Sequence, residues 1–193
     1  MATTDRPKRP GGRSARVRSA VLRAVEELLV DGGIAALSVA AVAERAGVNP
    51  SSVYRRWGTL DALLFDAVLA ATARTVPTAN TGSLRGDLER FVQSSIRATQ
   101  TPLGAALAQV LLTRPLTPEG QRERQQYWAR RHEALRPIFD RARERGERVP
   151  DPEDVIETVL APVYFRRFVT GRPISRKLAA TLVDRTLAGS PHS

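Results

Sequence analysis

The segment from Ser38 to Trp57, SVAAVAERAGVNPSSVYRRW, constrains this chain more than any other, because its helix-start and helix-stop residues leave room for one local arrangement. Ser38 stands where a hydroxyl can accept from the unpaired amides of a first helical turn, and Val42, Ala43 and Ala46 recur behind it on one face. Gly47 supplies the left-handed residue that ends such a helix. Asn49 caps a second helix, and Pro50 occupies its first position, where a missing N–H costs nothing and the fixed φ is already helical. Val53 is the one aliphatic residue of this second helix that can point inward, so Ser51, Ser52, Tyr54, Arg55 and Arg56 are left to face outward. Two short helices on a tight turn, the second presenting hydroxyls and guanidinium groups, make a helix-turn-helix suited to base edges and phosphates of DNA.

The flanks extend the pattern. A first helix ends in LLVDGG, AGV fills the turn, YRRW closes the third helix, and LDALLFDAV opens a long fourth. From about Arg13 to Leu69 the chain thus resembles the DNA-binding domain of TetR-type transcriptional regulators. The resemblance implies an all-α chain of about nine helices, a homodimer on a palindromic double-stranded DNA operator, and a C-terminal part that holds a small-molecule effector. Repression is the family's usual outcome. In an operator complex Ser51, Ser52, Tyr54 and Arg55 are expected to reach bases or their immediate sugars, with Ser38, Arg56, Trp57 and Thr59 on phosphates, and Asn49 and Arg13 complete the expected DNA-binding set. One position departs from the family pattern: where a phosphate-gripping lysine usually opens the fourth helix, this chain has Gly58, Thr59 and Leu60. Thr59, the expected cap of that helix, can supply a hydroxyl instead.

Charge is placed where a DNA reader needs it. Of a formal net charge of +10, the stretch from Met1 to Arg23 carries +6, with Asp5 its one acidic residue. Such an arm is drawn to the phosphate backbone, and an arginine can enter a narrow minor groove. The alternative this leaves open is a protein that coats DNA without sequence choice. Against it stands the presented face of the second motif helix, since a nonspecific binder needs phosphate contacts alone. Only Lys8 and Lys177 are lysines; a GC-rich coding genome accounts for that as well as function does.

Other classes find little support. The chain has no cysteine and two histidines, His132 and His192, so no metal site and no cofactor is expected. No nucleophile elbow, phosphate-binding loop or histidine–carboxylate cluster appears, which argues against an enzyme. The basic N-terminus lacks an apolar run, and no stretch approaches the ~20 apolar residues that span a bilayer, so a cytoplasmic protein with no membrane partner is expected.

Helical periodicity continues to the C-terminus. The expected organisation is a basic arm at 1–12, a DNA-binding domain at 13–59, a ligand-binding and dimerisation domain at 60–189 and a tail at 190–193. A first helix from about Arg13 to Val30 supports the motif, and a fourth from Leu60 to about Thr75 is apolar on both sides, as a bridge between domains must be. Pro137 should kink or divide the long helix between Thr117 and Arg145. Phe91, Tyr127, Trp128 and His132, aromatic or amphipathic on helices expected to face one another, are the candidate lining of a cavity for an apolar or aromatic ligand. Val159, Val163, Phe168, Leu178 and Leu182 on the last two helices are the candidate dimer interface.

Overall fold

The computed structural model describes residues 12–75, 79–114 and 117–189. Most of the expected basic arm, the tail with His192, and residues 76–78 and 115–116 of the expected loops lie outside the described residues. Among those described there is no strand, and the helices are α1 (Gly12–Gly32), α2 (Val39–Ala46), α3 (Pro50–Trp57), α4 (Leu60–Thr75), α5 (Leu84–Ala98), α6 (Pro102–Thr113), α7 (Pro118–Glu144), α8 (Pro152–Tyr164) and α9 (Arg176–Ala188). A short 3₁₀ turn, Gly33–Ala36, follows α1, and a π-helical segment, Phe165–Thr170, follows α8. The chain divides into two compact units between Leu63 and Leu64, inside α4 rather than before it.

The first unit is built by its caps. Ser38 Oγ accepts from the Ala41 amide at 3.1 Å, Asn49 Oδ1 from the Ser51 amide at 2.9 Å, and Thr59 Oγ1 from the Ala62 amide at 3.0 Å. Gly47 sits at φ +65°, a conformation that would strain a side-chain-bearing residue, and its amide closes α2. The buried stripe of α1, Val21, Leu22, Ala24, Val25, Leu28 and Leu29, belongs to the same core as Val39, Val42 and Ala43 of α2 and Val53 of α3. Val39 takes the inward place expected of Ala46, which is half-buried at the end of its helix. α1 continues past Val30 to Gly32, two residues that an exposed Val30 and Asp31 make cheap to add. Arg45 then pins α2 to the C-terminal turns of α1 through Asp31 at 2.9 Å and Glu27 at 3.6 Å.

The second unit packs α5, α7, α8 and α9 around Leu88, Phe91 and Val92, Leu135, Ile138 and Phe139, Val155, Val159 and Val163, and Ala179 and Val183. Pro137 does not divide α7. Its ring removes one bond to the carbonyl of Glu133, but both residues are exposed, so water can serve that carbonyl while the neighbouring Ile138 and Phe139 stay anchored in the core. Asp87, fully buried, knots the loop before α5 to the end of α7: its Oδ1 accepts from the Thr81 amide at 2.6 Å and hydroxyl at 2.8 Å, and Arg141 and Arg145 lie 3.8 and 4.0 Å from Oδ2. Gly104 lets α6 start hard against α5, because a Cβ there would collide with the Ala98 carbonyl oxygen.

Three of the candidate interface residues are corrected by this packing. Val159, Val163 and Leu182 lie inside the unit's own core, since each falls on the stripe of its helix that meets the other helices of the same chain. Phe168 and Leu178 are half-buried. The exposed apolar side chains of this region are instead Phe165 and Val169, at 56% and 59% exposure on the π-helical segment.

Candidate nucleic-acid interface and cavity

In the first unit α3 presents its expected face. Ser51, Tyr54 and Arg55, spaced three and four residues apart, lie together on the outside of the helix, with Tyr54 56% exposed. Among the described residues the side chains of Tyr54 and Arg55 make no hydrogen bond or ion pair, so both are available to a ligand. Ser52 is half-buried beside them. Arg56 is already engaged: its Nη1 donates to the Ser14 carbonyl at 3.1 Å and its Nη2 to the Ser14 hydroxyl at 2.7 Å, with the guanidinium 5.6 Å from the Trp57 ring centroid. It braces α3 against the start of α1, where Arg13 is exposed one residue away.

Ser38, Asn49 and Thr59 each spend a side-chain oxygen on a helix cap, which leaves the hydroxyl proton of Ser38 and the amide group of Asn49 as donors. Trp57 is half-buried. These cap residues stand at the starts of α2, α3 and α4, where backbone amides and the helix dipole add to any attraction for phosphate.

In the second unit the four candidate ligand residues are not brought to one place. Tyr127 faces a cavity of about 250 Å³ lined by residues of α4, α5, α6, α7 and α8. Trp128 and His132 face away from it, into an open groove of about 880 Å³ between α7 and α8 that also carries Glu153 and Glu157. Phe91 lines neither and is buried in the core. Consecutive helical residues point about 100° apart, so adjacent Tyr127 and Trp128 cannot share one cavity wall on the same helix face.

The cavity has apolar walls from Val68, Leu103 and Leu107 and polar groups from Ser94, Ser95, Thr99, Tyr127, Arg131 and Tyr164. Burial pushes the Tyr127 and Tyr164 phenols above their usual range, with the Arg131 charge pulling weakly the other way, so both stay neutral and can donate. Phe65 of α4 stacks on Tyr127 with centroids 5.1 Å apart, which couples α4 to the cavity wall. Arg131 and Ser95 are the residues that the sequence reading missed. The signal was present: Tyr127, Arg131, Leu135, Ile138 and Ala142 recur at steps of three and four along the buried stripe of α7, and an arginine on such a stripe needs a reason.

Among the described residues no group of acidic, histidine or cysteine side chains could hold a metal ion, and no helix is long and apolar enough to cross a membrane.

Residues 21–67 match the family model described as "Bacterial regulatory proteins, tetR family", and residues 78–186 match "Tetracyclin repressor-like, C-terminal domain". The chain is 39% identical over 135 residues to the HTH-type transcriptional regulator AqdR of Rhodococcus erythropolis, a match covering 70% of this chain and 65% of that protein's length. It is 43% identical over 61 residues, 32% of either chain, to the HTH-type transcriptional repressor Rv3405c of Mycobacterium tuberculosis. The crystal structure of the TetR family transcription regulator SCO0332 superposes with a TM-score of 0.77 at 29% identity, covering 90% of this chain and 98% of that one.

Proposed function

The chain belongs to the TetR family of transcriptional regulators, which bind DNA and are not enzymes, and we propose that this member is a homodimeric repressor released from a palindromic operator by a small ligand. The observation that carries this reading is the face of α3, where Ser51, Tyr54 and Arg55 stand in solvent on a capped, rigid helix with Tyr54 and Arg55 unused by the fold. Those three, with Ser52, reach bases or their sugars. Ser38, Asn49, Thr59, Trp57 and Arg13 hold phosphates, and Arg56, fixed by Ser14, keeps α3 in register while its remaining donors face the backbone. One such helix covers only a few base pairs. A two-fold dimer places a second helix one DNA turn away, about 34–36 Å, and doubles the contact.

Phe165 and Val169, with half-buried Phe168 and Leu178, form the dimer contact, since they are apolar surface that the unit's own core leaves uncovered. The ligand enters the cavity of the second unit, and α4 carries the signal. Val68, Ala71 and Thr72 of α4 line that cavity, while the first turn of the same helix belongs to the unit that reads DNA. A ligand that favours one placement of α4 lowers operator affinity by its differential affinity for the two states. Repression follows the name of a relative that is 43% identical over 61 residues.

Fluorescence anisotropy on a labelled promoter fragment at physiological salt, with excess unrelated DNA, tests the reading. Specific binding survives the competitor and shows two protomers per site. Loss of all binding leaves only nonspecific attraction, and a monomer in sedimentation at micromolar concentration removes the dimer.

A further inference from the structure

A buried cation without a counter-ion is expensive, and this chain keeps one in its cavity. Arg131 is 7% exposed, lines the 250 Å³ space, and makes no ion pair or hydrogen bond among the described residues. Its guanidinium lies 5.5 Å from the Phe91 ring centroid, a contact that offsets part of the desolvation without neutralising the charge. In the same lining, Ser95 Oγ is buried with no hydrogen-bond partner. Two other polar groups of the lining are spent within the fold: Thr99 donates to the Ile96 carbonyl at 2.7 Å, and Ser94 accepts from Arg97 at 2.7 Å. The cavity lining holds Arg131 and Arg97 and no carboxylate, whereas the α7–α8 groove holds Glu153 and Glu157.

From this we infer that the effector is a small, otherwise apolar carboxylate whose head is forked by Arg131 and receives the Ser95 hydroxyl, with its tail against Val68, Leu103 and Leu107. A planar carboxylate matches the two parallel donors of a guanidinium. The volume, at the low end of ligand pockets, excludes bulky polyanions, and the apolar walls give a hydrophobic tail its place. Arg131 therefore stores a folding cost that the ligand relieves. The inference names the ligand class of the effector site proposed above and rests on that site.

The test uses the purified full chain and three matched pairs: hexanoate, octanoate and 4-phenylbutyrate, each against its primary amide, by isothermal titration calorimetry. At least one carboxylate should bind about tenfold or more tightly than its amide, the ratio of a charge-assisted to a neutral contact. Arg131→Met should erase that ratio, leave amide binding in place, and leave the unliganded Tm unchanged or raised, as expected for loss of an unpaired buried charge. A lowered Tm would make Arg131 a structural residue. Should Arg131→Met not fold, Arg131→Lys and Ser95→Ala carry the same test, each weakening the carboxylate selectively. Amides binding as tightly as carboxylates, a preference that survives these variants, or no binding by any probe overturns the inference. Operator anisotropy in the same titrations separates the two ideas: Arg131-dependent carboxylate binding with unchanged operator affinity sinks the release mechanism alone.

Discussion

In the unit that ends at Leu63 the side chains offered to a ligand stand in solvent, whereas in the unit that begins at Leu64 they lie inside the fold. Tyr54 and Arg55 project from a helix whose position is fixed by other residues, Val53, Asn49 and Arg56, so the two exposed side chains are not the ones that hold the helix in place. Arg131 and Ser95 sit on the same buried stripes as Leu135 and Phe91, so a residue there serves function at the expense of packing. The first arrangement suits a partner as large as DNA, which must come to the surface. The second suits a small molecule that has to be surrounded before it can bias a helix.

The widest effect should come from the interior of the second unit. Phe139→Ala, at a position 1% exposed in the α5–α7–α8–α9 core, should cost about 3–5 kcal/mol in urea denaturation. A loss under about 1 kcal/mol would mean that this interior is loosely packed and that the contrast between a spent core and a reserved cavity does not hold. Next is Arg55→Ala, which should weaken operator binding by about 1–3 kcal/mol and relax preference at one base pair per half-site. Its folding stability should stay within about 0.5 kcal/mol of the parent, because an exposed arginine without partners supports nothing. Equal loss on every sequence would move Arg55 to the phosphate contacts.

Ser38→Ala should cost about 1 kcal/mol of stability through the lost cap on α2. If operator affinity falls further than stability does, Ser38 touches phosphate as well as capping. The smallest effect concerns Glu147. The Leu84 amide donating to it at 2.8 Å, then Arg145, hold its carboxyl below the ordinary value of 4.5. A carboxylate depressed on folding stabilises above its unfolded pKa, and that stability is lost as pH falls through the folded value. Glu147→Gln should therefore narrow the gap to the parent protein below pH 4.5 in an acid titration of Tm, while a gap that stays constant would assign the effect to geometry.

What could be read from the sequence follows the range of the forces involved. Ser38, Gly47, Asn49, Pro50 and Thr59 act within four residues of themselves, through a cap, a left-handed turn or a fixed φ, so their roles were legible before any fold was known. The outward face of α3 followed from a single inward valine. Helical periodicity likewise marked Val159 and Val163 of α8 as lying on a covered face, because an apolar repeat reports that a face is covered.

Periodicity does not report what covers the face. Val159 and Val163 satisfied the pattern of an interface and of a core equally, and only the approach of α5, α7 and α9 assigned them to the core of their own chain. The same limit separated Tyr127 from Trp128 and hid Arg131: whether a residue of α7 meets a cavity, a groove or a packed wall depends on helices distant in the chain. Local hydrogen bonding and backbone sterics determined the reading helix from the sequence alone, since both partners of each interaction are close along the chain. The cavity, its unpaired cation and the exposed π-helical segment were decided by tertiary packing, because each is defined by the neighbours that arrive and by those that do not.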